Sequence, residues 1–123
     1  MQVNNKKTLV FGASLNPDRY SHLAVKRLLD KNIATVAFGK TAGAILGIQI
    51  KDKLNDFQNI HTITLYLNPK RQEEYYKDII NLKPKRVIFN PGTENPEFYA
   101  LLKENNINVE EACTLVLLGT GQF

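Results

Sequence analysis

The chain has 123 residues, 43% of them hydrophobic, with one cysteine, two histidines and a formal net charge of +4. That length buries roughly two thirds of the surface an unfolded chain exposes, which suits one core and a single domain over 1–123 and leaves no room for a separate catalytic domain. A lone Cys113 excludes an internal disulfide framework, the scattered His22 and His61 leave no metal-ligand spacing, and no apolar stretch approaches the ~18 residues of a membrane span.

Residues 1–7 contain no apolar run followed by a small-residue cleavage site, so a soluble cytoplasmic protein is expected. The run KTLVFG at 7–12 is a short β-prone segment closed by glycine, and 21–31 then carries Leu23, Ala24, Leu28 and Leu29 at helical spacing. Residues 33–38 are nearly continuous in apolar character, as in a strand covered on both faces. A Gly/Ala-rich stretch follows to Gly47, with 47–50 read as a short edge strand.

Residues 62–67 form the next strand, and Asn68-Pro69 opens a helix running to about Leu82 with Tyr75, Tyr76, Ile79 and Ile80 as its inward stripe. Residues 86–89 are a further strand. Asn95-Pro96 caps a helix whose Phe98, Leu101 and Leu102 face inward, 107–109 is a last short strand, and 113–118 fits either a helical turn or a strand. The alternation predicts an α/β, Rossmann-like open sheet of about five mostly parallel strands with helices on both faces, because parallel neighbours need right-handed crossovers of this size.

Four of the five prolines follow asparagine, at Asn16, Asn68, Asn90 and Asn95. Asparagine caps helix N-termini and proline fits the first turn, so strand-Asn-Pro reads as the carboxyl end of a strand entering a helix, on the rim where open α/β sheets bind ligands. The first such loop, GASLNPDRY at 12–20, has one glycine where a dinucleotide fingerprint has three. It still offers a turn glycine, the small residues Ala13 and Ser14, and the cation Arg19 to a phosphate. After 33–38, where an NAD site would hold an acid, stands Lys40, which suits a ribose phosphate.

Tyr66, Asn68, Pro69, Asn90, Pro91 and Gly92 fall on the same rim, and asparagine amides both donate and accept, as an adenine edge or a pantetheine amide requires. For Asn68 helix capping is an equal explanation. Gly39-Lys40-Thr41 ends like a P-loop but lacks the earlier glycine, and Gly12 to Asn16 begins like a hydrolase elbow without its closing glycine or a late histidine. No catalytic residue and no metal ligand is assigned.

The segments TLVFGASLNPDRYS, TLYLNP, KRVIFNPGTENPE and EACTLVLLGTGQF, in this order and spacing, resemble the small CoA-binding proteins related to the N-terminal domain of the succinyl-CoA synthetase alpha subunit. The resemblance implies contacts to coenzyme A from Gly12, Ala13, Ser14, Arg19, Lys40, Asn68, Pro69, Asn90, Pro91 and Gly92. It carries no catalytic residue, since the synthetase phosphohistidine lies in a domain this chain lacks. The chain departs from the pattern at Gly39-Lys40, where relatives often read Asn-Pro. The implied function is a non-catalytic or accessory module holding coenzyme A or a small acyl-CoA, a small nucleotide-like partner rather than nucleic acid or membrane. An NADP-binding enzyme or redox sensor, and an interaction module that has lost its ligand, are the alternatives.

Overall fold

The computed structural model describes residues 4–123; residues 1–3, part of the stretch read above for a leader, lie outside them. Strands β1 (Asn4–Phe11), β2 (Ile33–Phe38), β3 (Gly43–Ile45), β4 (Ile48–Lys51), β5 (Thr62–Leu65), β6 (Arg86–Phe89) and β7 (Asn108–Glu111) form one seven-stranded sheet in the order β3-β4-β2-β1-β5-β6-β7. All neighbours are parallel except β3 against β4. The expected parallel α/β architecture is present with seven strands rather than about five.

The strands expected at 47–50 and 107–109 are present as β4 and β7, and β3, in the weakly patterned stretch before them, is the one not read from the sequence. Leu46 and Gly47, with φ of 48° and 85°, make a two-residue turn with both centres left-handed, which folds β3 back on β4 as an antiparallel hairpin. Glycine takes this conformation freely; leucine does so only because the hairpin demands it.

Alternation along the strands divides the core. Leu9 and Phe11 of β1 join Ile63, Leu65, Val87 and Phe89 in one cluster, while Val10 joins Ala37, Ile45 and Ile50 in the other. Helix α1 (Tyr20–Asp30) supplies Val25 and Leu28 to the second cluster, and α5 (Thr114–Gly119) supplies Leu118. The opposite face is covered by α3 (Tyr76–Asn81) through Ile79 and by α4 (Pro96–Glu104) through Phe98 and Leu102. Residues 113–118, open between helix and strand in the sequence, are helical from Thr114.

The predicted helix at 69–82 is broken. It runs as α2 (Pro69–Gln72), a 3-10 turn over Glu73–Tyr75, and then α3. Three side chains of this short segment still turn inward. Gln72 is fully buried, Tyr75 sits edge-on to Phe11 and Phe38 at 5.2 and 5.5 Å, and Tyr76 stacks on Phe98 at 4.3 Å. These positions, at i, i+3 and i+4, share one helical face, so the inward stripe is kept through the 3-10 turn.

Register places the carboxyl ends of four strands flush, with Phe11 opposite Phe38 and Leu65, and Leu65 opposite Phe89. The loop after β1 passes into α1 on one face and the loop after β5 passes into α2 on the other. They diverge at the switch point of strand order, where such sheets open a crevice. Among the described residues no helix is long and apolar enough to cross a membrane.

Candidate functional site

A cleft of about 600 Å³ lies at this switch point, lined by the loop after β1, the end of β2 with Lys40 and Thr41, the loop after β5, and Pro91 and Thr93 after β6. Of the residues expected from sequence, it brings together Gly12, Ala13, Ser14, Arg19, Lys40, Tyr66 and Pro91. Asn68, Pro69, Asn90 and Gly92 are not in its lining.

The first wall is fixed by the backbone. The amides of Gly12 and Ala13 donate to the Phe38 carbonyl at 2.9 and 2.8 Å, so these two donors are spent inside the protein and not offered to a phosphate. Gly12 has a φ of 97°, and a Cβ there would stand 3.1 Å from Leu67 Cδ2. Gly39 is tighter: a Cβ on it would lie 2.5 Å from the Ala13 carbonyl oxygen. The loop after β1 thus rests directly on the end of β2, a contact only a residue without a side chain permits.

Beyond Ala13 the loop holds itself. Ser14 Oγ accepts from the Asn16 amide at 3.1 Å, Asn16 Oδ1 accepts from the Asp18 amide at 3.0 Å, and His22 Nδ1 lies 2.8 Å from the Ser14 carbonyl. Asn16 therefore closes a turn rather than capping a helix. The N-cap of α1 is Arg19, which makes no side-chain cap, so the first-turn amides at Tyr20 and Ser21 remain the free donors of a helix N-terminus facing the cleft.

Three exposed cations line the cleft: Arg19, Lys40 and Arg71, against the single carboxylate of Asp18. Arg71 is absent from the sequence-derived set. Its signal was its position in the first helical turn after Asn68-Pro69, on the same rim. Tyr75, Thr41 and Thr93 are likewise additions. Burial raises the Tyr75 hydroxyl above its ordinary pKa, with Glu74 adding to the effect and Arg71 opposing it. Tyr66 packs its ring beside the second core cluster. Its hydroxyl is buried next to Thr64 and Thr114 without hydrogen-bond geometry to either, and burial likewise raises its pKa.

The remaining asparagines have structural work. Asn68 Oδ1 accepts from the Arg71 amide at 3.0 Å and Asn95 Oδ1 from the Phe98 amide at 3.2 Å, each with proline in the first turn, as the sequence pattern predicts. Asn90 is buried instead of facing a ligand. Its Nδ2 donates to Thr64 Oγ1 and to the Leu65 carbonyl at 2.8 and 3.0 Å, and its Oδ1 accepts from the Thr114 amide at 2.9 Å, which fastens α5 to the middle of the sheet. Gly92 has a φ of 93° with open space around it, and its amide donates to Glu94 Oε1 at 2.9 Å. Its glycine is a requirement of the turn.

A mostly parallel α/β sheet with a cationic crevice at its carboxyl rim and an uncapped helix N-terminus facing it defines a Rossmann-like domain. Residues 6–119 match the family model described as CoA binding domain, and the chain belongs to that family. Its fold is also that of a solved structure titled as an uncharacterized protein, 44% identical, with a TM-score of 0.93 over 96% of this chain and 98% of the other. A protein from Thermus thermophilus is 22% identical at a TM-score of 0.84, covering 96% of this chain and 90% of its own. A hypothetical protein from Pyrococcus horikoshii OT3 is 25% identical at 0.83, covering 90% and 80%. No curated protein matches the chain.

Proposed function

We propose that the chain, read as one domain over 1–123, binds coenzyme A or a small acyl-CoA in the rim cleft, as a non-catalytic or accessory module. The observation that carries this reading is the convergence of Arg19, Lys40 and Arg71, from the segments that follow β1, β2 and β5, on one cleft in a CoA-binding family member. Coenzyme A carries a pyrophosphate and a separate ribose phosphate, and cations spread over several connections suit two anionic groups better than one. The free amides at the start of α1 add donors for an anion. Ser14 and Pro91 contribute wall, and Gly12 and Ala13 contribute room rather than donors.

The wall tyrosines Tyr66 and Tyr75, with pKa values raised by burial, stay protonated at neutral pH and are poor general bases. Lys40 in place of a ribose-binding acid also favours one rival ligand, NADP. Native mass spectrometry of protein purified without added ligand, followed by competition among coenzyme A, dephospho-CoA, NADPH and NADH, separates the two. The expected order is coenzyme A, then dephospho-CoA, then NADH, with NADPH weaker than coenzyme A. Equal competition by NADH overturns the reading.

A further inference from the structure

We propose that Gln72 is a positioning residue for the cleft, setting the distance between its two loops on the α2 side; this rests on the ligand-binding reading above. Gln72 is completely buried and uses both ends of its amide. Nε2 donates to the Leu67 carbonyl after β5 and to the Thr93 carbonyl after β6, each at 2.8 Å. Oε1 accepts from Asn95 Nδ2 at 2.9 Å. Leu67 and Thr93 both line the cleft, and so does Arg71, the residue next to Gln72 in the chain.

A longer helix would hold Arg71 in place through several turns of packing. The helix here is too short for that. α2 has four residues and gives way at once to a 3-10 turn, so its own ladder constrains Arg71 weakly. The Asn68 cap holds the Arg71 amide, and the Gln72 side chain ties the turn to both loops. It is backed by a chain of partners in which Asn95 Nδ2 donates to the Tyr76 hydroxyl at 2.8 Å and that hydroxyl donates to Glu97 Oε2 at 3.0 Å. Gln72, Asn95, Tyr76 and Glu97 are all absent from the lining of the cleft. A purely structural glutamine would be replaceable wherever the fold survives, whereas a positioning one changes the site in a folded protein.

The test is Gln72→Glu, which keeps the shape and removes the double donor. Ionised, the introduced carboxylate repels both carbonyls; protonated, it donates to one of them again. The titratable groups facing it are the Tyr76 hydroxyl on α3 and, behind that, the Glu97 carboxylate on α4, whose charge favours the protonated form of the newcomer. Coenzyme A is titrated by calorimetry into wild type and variant at several pH values, and folding is checked by near-UV circular dichroism at each. Expected is a loss of about five- to tenfold in affinity at pH 8 relative to wild type, with the ratio closing as pH falls and the carboxyl regains its proton. Should the variant be unfolded, the titration is repeated in trimethylamine N-oxide, which restores the fold by exclusion from the surface without supplying the missing donor. A folded variant that binds like wild type at every pH, or one whose loss ignores pH, overturns the positioning role alone. A wild type that takes up no coenzyme A removes the site reading and this proposal together.

Discussion

Gly39→Ala is a demanding probe of the site because it adds one methyl group at the place where two walls touch. The new Cβ would lie 2.5 Å from Ala13 O and 3.1 Å from Ile50 Cγ2, where ordinary contact begins at 3.4 Å. About 0.9 Å of relief is therefore needed against a backbone oxygen, which cannot rotate away. Either the loop after β1 lifts, straining the Ala13 N to Phe38 O bond of 2.8 Å, or the end of β2 moves, straining Gly39 N to Lys51 O at 3.0 Å. Overpacking of this kind costs about 1–3 kcal/mol. Alanine's lower unfolded-state entropy returns only about 0.4–1 kcal/mol, so destabilisation wins. A net cost of about 1–2 kcal/mol lowers Tm by about 4–10 °C for a chain of this size. Lifting the loop also moves Ser14 and the start of α1, so coenzyme A affinity should drop about fivefold, the equivalent of one hydrogen bond. Thermal unfolding and calorimetric titration read the two effects. Wild-type Tm together with wild-type affinity would refute the contact as described.

Arg19→Ala, Lys40→Ala and Arg71→Ala should each weaken coenzyme A binding by about 1–2 kcal/mol with little change in Tm, and the losses should shrink as salt rises; titrations at two salt concentrations check this. Unchanged affinity in all three variants removes the cationic side of the site. Gly92→Val should lower Tm by a few degrees through backbone strain of about 1 kcal/mol or more, since the φ of 93° is hostile to a side chain even in open space; a variant with wild-type Tm would contradict the turn geometry. His61 has a pKa lowered from 6.5, first by burial and then by Arg86, Lys6 and Lys85. Its unfolded form thus binds a proton more readily than its folded form, and stability is lost as pH falls through 6.5. Chemical denaturation from pH 8 to 5 should show a shallower decline for His61→Gln than for wild type, and equal slopes would count against it.

The four Asn-Pro pairs show how far the sequence could be read. At Asn68 and Asn95 the local rule won: the side chain caps the helix and proline occupies its first turn. At Asn16 the loop was longer than the rule assumes, so the asparagine closed a turn and Arg19 became the N-cap. Asn90 was taken by a partner twenty-four residues away, the Thr114 amide, and no local pattern announces that demand. The central strands were legible because they are apolar throughout. Of the hairpin at 43–51 only the strand at 47–50 was, because the small residues before it carry little periodicity and the register comes from a strained turn. Arg71 and Gln72 stayed hidden for a different reason. Polar residues in a first helical turn ordinarily face water, and only the tertiary arrangement sends one into the cleft and the other into the core.

The pairing of Asn90 and Thr64 with Thr114 also bears on how the protein is made. A growing chain can align β1, β2, β5 and β6 once residue 89 has emerged, since these strands neighbour one another in the sheet. Thr64 Oγ1 meets Thr114 Oγ1 at 2.7 Å only when the last helix arrives, and until then Asn90 Oδ1 lacks the amide it accepts from. Until α5 packs on that face these polar groups keep water as their partner, so the partial sheet lacks both the burial and the hydrogen bonds that the last helix adds. The native hydrogen bonds of Asn90 and Thr64 are thus completed by a residue near the end of the chain, after the strands they join have been made.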